Sequence, residues 1–161
     1  MATLHFIAGR AGAGKTTLAR QLGRELPAVV FCEDEWLSKI SDPITSVADY
    51  LKASSRLRAA LAPHITGLLR LGVDVVLDFA GNTPASRQWV RSIFESASAD
   101  HVLHYLDADE ATCRERVHER NRTQPEGIFF GVVSDALLDE VNPYFVPPAA
   151  EEQFNVSVRR Y

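Results

Sequence analysis

The chain has 161 residues, with 17 basic and 21 acidic side chains and a net charge of −4. Apolar residues at 46% and charged residues at 24% are ordinary for a globular chain, enough for one core without metal or disulfide staples. The charge excludes a general attraction to nucleic acid or anionic membrane, and no apolar run approaches the ~18 residues of a bilayer span.

Leu4 to Ala8 is an apolar run closed by Gly9 and reads as a buried strand. No basic segment precedes it, so no secretory leader is expected and the cytoplasm is the expected compartment. Gly14 to Glu25 reads as a helix with Leu18, Leu22 and Leu26 on one stripe, ended by Pro27. Val29 to Cys32 is a second strand, followed by the acids Glu33, Asp34 and Glu35. Ser38 to Tyr50 has no clear period, and Pro43 interrupts it. Leu51 to Leu71 reads as helix, with Pro63 expected to kink or divide it. Val73 to Leu77 is a third strand ending at Asp78, and Phe79 to Asn82 reads as a turn. Thr83 and Pro84 have the form of an N-cap and first helical residue, opening a helix to about Ser98. His101 to Leu106 is a fourth strand, and Asp109 is placed to cap a helix from Glu110 to about Asn121. Thr123 to Val133 reads as loop, Ser134 to Val141 as helix and Phe154 to Val158 as a last strand. Alternation of strand and helix predicts βαβ units, a mainly parallel sheet and helices on both faces, all in one domain over 1–161. Cys32 and Cys113 read as buried free thiols. No heptad seam sets an oligomeric state.

Gly9-Arg10-Ala11-Gly12-Ala13-Gly14-Lys15-Thr16 satisfies G-x-x-x-x-G-K-[ST] at every defined position. It follows a strand and opens a helix, the context this phosphate-wrapping loop requires. Glycines allow the tight turn, and the helix start aims free N–H groups and a positive dipole end at the anion. Lys15 is placed for the β- and γ-phosphates, the Thr16 hydroxyl for Mg²⁺, and Thr17 for the α-phosphate. ATP is the expected nucleotide, with GTP the alternative.

Ligands of open parallel sheets bind beyond the carboxyl ends of the strands. Asp34 and Asp78 lie at two of those ends. An apolar strand running into Asp78 has the shape of a Walker B element, so Asp78 joins Thr16 as a candidate metal residue; a cap of the next turn is the alternative. Asp34 is a candidate general base, or else the cap of a helix starting near Glu35. Arg116, Arg120 and Arg122 precede a loop holding Gly127 and Gly131, the composition of a lid whose guanidinium groups stabilise a phosphoryl group in flight. A solvated helix paired by Glu115 and Glu119 is the alternative.

These segments together resemble the small P-loop kinases of the nucleoside-monophosphate-kinase-like group. Within it the chain is similar to AAA-33-type ATP-binding proteins, zeta-toxin-like and chloramphenicol-phosphotransferase-like kinases and the polynucleotide 5′-kinase domain. The matching residues are Gly9 to Thr17, Asp34, Val75 to Asp78 with Asn82, Thr83 and Arg87, and Arg116 to Arg122. The resemblance implies a five-stranded parallel sheet with the phosphate-loop strand central, ATP as donor, Mg²⁺ as cofactor, an Arg-bearing lid and Asp34 as base. Some of these kinases carry an acceptor-holding Arg three or four residues after that Asp. Here Leu37 and Ser38 stand there, which argues against a nucleic-acid or phosphorylated acceptor held in the same way. Asp34, Trp36, Asn82 and Arg87 are the candidate acceptor-binding residues.

Three functions fit this reading. The first is transfer of the γ-phosphate to a hydroxyl of a small molecule. The second is a polynucleotide or nucleotide kinase, disfavoured by the net charge. The third is a nucleotide-dependent switch or regulatory ATPase without an acceptor.

Overall fold

The computed structural model describes residues 1–160. β1 (Thr3–Ala8) leads through the glycine loop into α1 (Lys15–Glu25), and β2 (Ala28–Cys32) runs directly into α2 (Glu33–Ile40). α3 (Val47–Arg70), β3 (Asp74–Ala80), α4 (Pro84–Ala97) and β4 (Asp100–Asp107) follow, then α5 (Glu110–Thr123), α6 (Asp135–Val141) and β5 (Val156–Arg160). The sheet order is β2-β3-β1-β4-β5, and each neighbouring pair is parallel. The phosphate-loop strand is thus central, as the resemblance implies.

Alternation along β1 divides the core. Leu4, Phe6 and Ala8 join Leu57, Leu61 and Ile65 of α3 and Ile93 of α4 on one face. Ile7 joins Leu18 and Leu22 of α1 and Cys113 of α5 on the other. The leucine, isoleucine and phenylalanine side chains among them contribute about 1.5–3 kcal/mol each when fully buried. The starts of α3, α4, α5 and α6 are fixed by short polar side chains. Thr83 and Ser86 form a capping box with Pro84 in the first turn, and Ser46, Asp109 and Ser134 cap α3, α5 and α6. Among the described residues no helix is long and apolar enough to cross a membrane.

The structure departs from the sequence reading at four places. Pro63 lies inside α3, which continues as one helix of 24 residues. Its lost amide bond is outweighed by the stripe Leu57, Leu61, Ile65 and Leu69, buried against the sheet. β3 does not stop before Asp78 but runs to Ala80. The register on β1 jumps there, from Phe6 opposite Leu77 to Ile7 opposite Ala80. Buried Phe79, stacked on Trp89, explains why the segment stays extended. The stretch without a clear period divides into α2, an irregular segment at 41–46 and α3, whose cap Ser46 accepts from the Asp49 N–H. Finally, β5 starts two residues later than Phe154, whose ring packs edge-on against Phe6 and Phe94.

Candidate active site

The loop between β1 and α1 has the backbone that its glycines predict. Gly12 and Gly14 adopt φ +86° and +99°, a region costly for other residues. Gly12 is constrained twice, because a Cβ there would stand 2.2 Å from the Cys113 carbonyl oxygen. The loop is therefore seated directly on the first turn of α5. A Cβ on Gly14 would meet nothing within 4 Å, so its side of the loop is open.

Lys15 bridges its own loop: Nζ donates to the Gly9 carbonyl at 2.7 Å and to the Arg10 carbonyl at 3.0 Å. Burial lowers its pKa. Asp78 and Asp34 oppose that shift, and Arg120 adds to it. At the next residue, the Thr16 hydroxyl donates to Asp78 Oδ2 at 2.6 Å. The same oxygen accepts from the Cys32 thiol at 3.2 Å, and burial followed by the Asp78 charge pushes that thiol well up. Asp78 thus joins the phosphate loop to β2. It does not serve as a helix cap, because Thr83 does.

Asp34 is not a cap either. α2 begins one residue earlier, at Glu33, directly after Cys32. Asp34 therefore lies in the first helical turn, on the rim of a cleft. The residue is exposed at the cleft rim, and the groups packed around it push its pKa up to about 6. Burial is the largest cause, followed by the like charges of Asp78 and Glu33; Lys15 and Arg120 hold the shift back. A carboxylate, the phosphate-loop lysine and an arginine are therefore electrostatically linked at one point.

The cleft has a volume of about 420 Å³ and lies between α2, the 41–44 segment and the 128–133 loop. Arg120 lines it beside Asp34. The arginine cluster otherwise divides. Arg122, only two positions on, points away and pairs with Glu119 at 2.6 Å, fully in line with the solvated-helix alternative. Arg116 lies exposed one turn before Arg120. The loop after α5 is pinned by Asn121, whose amide donates to the Val133 carbonyl and accepts from its N–H. Gly127, at φ +72°, rests on the Arg20 guanidinium of α1, which a Cβ would approach to 3.0 Å.

Three candidate acceptor residues sit elsewhere than the sequence reading placed them. Asn82 Oδ1 accepts from the Gly9 N–H at 2.9 Å, so its side chain fixes the start of the phosphate loop. Arg87 is 0% exposed. Its donors go to both Glu152 oxygens and to the Gly81 and Val146 carbonyls, which leaves it no face for an acceptor. Trp36 stacks near Phe31 and lines a second groove on the other side of the 41–44 segment.

Glu33, which the sequence offers only as one of three acids, organises this region. It is 3% exposed. Its carboxylate accepts from the Tyr50 hydroxyl, from Ser54 at 3.1 Å and from Arg58 at 3.3 Å. Those partners recur every four residues on α3, a polar stripe beside Leu57 and Leu61 that is visible in the sequence. Arg58 in turn lies over Trp89, 4.9 Å from the ring centroid.

Fold and site define a P-loop protein built on the nucleotide-kinase type of parallel sheet. Residues 4–143 match the AAA_33 family of AAA domains, and the chain belongs to that family. A search of curated proteins gives no match. Among solved structures, a candidate kinase from Chloroflexus aurantiacus superposes with TM-score 0.75 at 15% identity, covering 99% of this chain and 85% of that one. Kti12 from Chaetomium thermophilum, in complex with ADP-AlF3, gives 0.73 at 15% identity over 98% and 89%. The APS kinase CysC of Mycobacterium tuberculosis, in complex with AMPPNP and APS, gives 0.61 at 20% identity over 99% and 88%. At these identities the likeness is one of fold.

Proposed function

We propose that the protein is an ATP- and Mg²⁺-dependent phosphotransferase that moves the γ-phosphate to a hydroxyl of a small molecule. The observation that carries this reading is Asp34, placed with Arg120 on the lining of a cleft and in the field of Lys15. A water-only NTPase has no need of a cleft of about 420 Å³ beside its base.

The acceptor hydroxyl gives its proton to Asp34 as its oxygen bonds to the γ-phosphorus; the bond from phosphorus to the β,γ-bridging oxygen breaks and ADP leaves. The loop N–H groups and Lys15 bind the phosphates, and Arg120 faces the charge that spreads over the transferring group. Thr16 and Asp78 converge through hard oxygen donors 2.6 Å apart, which fits Mg²⁺. Bound there, the ion neutralises phosphate charge. The solved APS kinase, with AMPPNP and a small-molecule acceptor, and Kti12, with ADP-AlF3, support ATP as the donor. The two buried free thiols suit a reducing compartment such as the cytoplasm.

The test is phosphate transfer from γ-labelled ATP with Mg²⁺ to a panel of hydroxyl compounds and oligonucleotides, beside Asp34→Asn. Label on a small acceptor, lost in the variant, supports the proposal. Slow release of free phosphate alone, unchanged in the variant, overturns it in favour of a regulatory ATPase. Label on oligonucleotides overturns it in favour of a polynucleotide kinase.

A further inference from the structure

We propose that the cleft beside Asp34 takes an alcohol with a largely apolar body and no anionic group. The inference rests on the phosphotransferase reading above and concerns only the acceptor. Its walls come from Leu37, Pro43 and Ile44 on one side and Ile128, Phe130 and Val132 on the other. The hydroxyl groups along the cleft are largely committed. Ser38 donates to the Glu35 carbonyl at 2.7 Å, Ser41 to the Leu37 carbonyl at 2.7 Å, and Tyr50 to Glu33.

The charges that line the cleft are Asp34, Asp42 and Arg120. Arg120 lines the cleft beside Asp34, where the phosphotransferase reading assigns its charge to the transferring phosphate. Apart from Arg120 no cation among the described residues lines the cleft, so a phosphate, sulfate or carboxylate at the acceptor's far end would meet Asp42. The nearby cations are engaged or line the adjoining groove. Arg58 is held by Glu33, Arg87 by Glu152, and Lys52 and Arg56 line the second groove across the 41–44 segment. An apolar body fits the walls, and a neutral or amine-bearing group is compatible with Asp42.

Three compounds of one skeleton test this: phenylalaninol, 3-phenylpropane-1,2-diol and 3-phenyllactate, which are cationic, neutral and anionic. They are titrated into the full chain with AMPPNP and Mg²⁺ while the methyl resonances of Leu37, Ile44 and Val133 are followed. The expected result is binding of the amine and the diol about fivefold or more tighter than the carboxylate, with shifts at those methyls. In Asp42→Lys, an exposed position, the carboxylate should gain and the amine should lose. Equal or tighter binding of phenyllactate to the wild type overturns the proposal. So does a lack of shifts in the cleft with all three compounds. Nucleotide binding is read first from the Gly9 to Thr17 amides. Its absence would sink the phosphotransferase reading and the acceptor class with it, whereas intact nucleotide binding with the wrong selectivity sinks the acceptor class alone.

Discussion

As the proposed base, Asp34 stands between two requirements. A base is useful near its working pH only if its pKa is raised, and the raised value comes from crowding one carboxylate against two others, Asp78 and Glu33. The same crowding costs stability. A carboxyl group whose folded pKa is about 6 against an ordinary 3.8 holds its proton more tightly in the folded state. Its contribution is therefore fully present below about pH 4 and is lost as the pH rises through 6. Asp34→Asn should reduce acceptor phosphorylation by about 10² or more, with little change in ATP affinity measured by titration. It should also melt higher than the wild type at pH 7.5, with the difference closing towards pH 4 in calorimetry. A rate unchanged by the substitution would remove Asp34 as the base. Lys15 makes a sharper case. It reaches two loop carbonyls across the phosphate site, so Lys15→Ala should abolish turnover while the melting temperature changes little. Activity at the wild-type level would overturn the role given to this loop.

At the scale of elements, the loop between strand and helix was legible because its chemistry is local. The residues Gly9 to Thr16 carry their own geometry, and Gly12 and Gly14 take the positive φ their type suggests. Caps were legible for the same reason: Thr83 with Pro84, and Asp109, were placed correctly by short-range rules. What the sequence hid was pairing between distant segments. Asn82 lies 73 residues from Gly9, and Arg87 lies 65 from Glu152. Nothing local marks Arg87 as a buried strut rather than a ligand for an acceptor. Glu33 was obscured by its neighbours, although its three partners repeat at helical spacing. These struts make a prediction separate from chemistry. Arg87→Ala removes one partner of an ion pair whose guanidinium is 0% exposed. It should cost about 3–5 kcal/mol in denaturant unfolding, while the folded fraction still binds ATP. Loss of nucleotide affinity with full stability would mean instead that Arg87 serves the site.

Across the whole molecule, parallel strands with their carboxyl ends on one side gather Asp34, Asp78 and the phosphate loop; Thr16 and Asp78, in contact there, are 62 residues apart. The sheet also brings together a pair that no function claims. His5 of β1 and His104 of β4 lie stacked, with His5 Nδ1 and His104 Nε2 3.1 Å apart, and the other His104 ring nitrogen is buried without a partner. Burial, then the charges of His5 and Arg159, lower His104 to about 4. A histidine with a depressed folded pKa gives stability that is present above its unfolded 6.5 and lost as the pH falls through 4, on the order of 3 kcal/mol for a shift of this size. Asp34 works the opposite way in almost the same window, gaining stability as the pH falls from 6 to 4. His104 and Asp34 therefore tilt the acid limb of the stability curve in opposite directions. Urea unfolding from pH 7 to pH 4.5 should give a shallower decline for His104→Leu than for the wild type, and a steeper one for Asp34→Asn. Slopes are the right comparison, because the packing cost of removing a buried ring shifts the whole curve without tilting it. Parallel curves for all three proteins would mean that neither group titrates as its surroundings require.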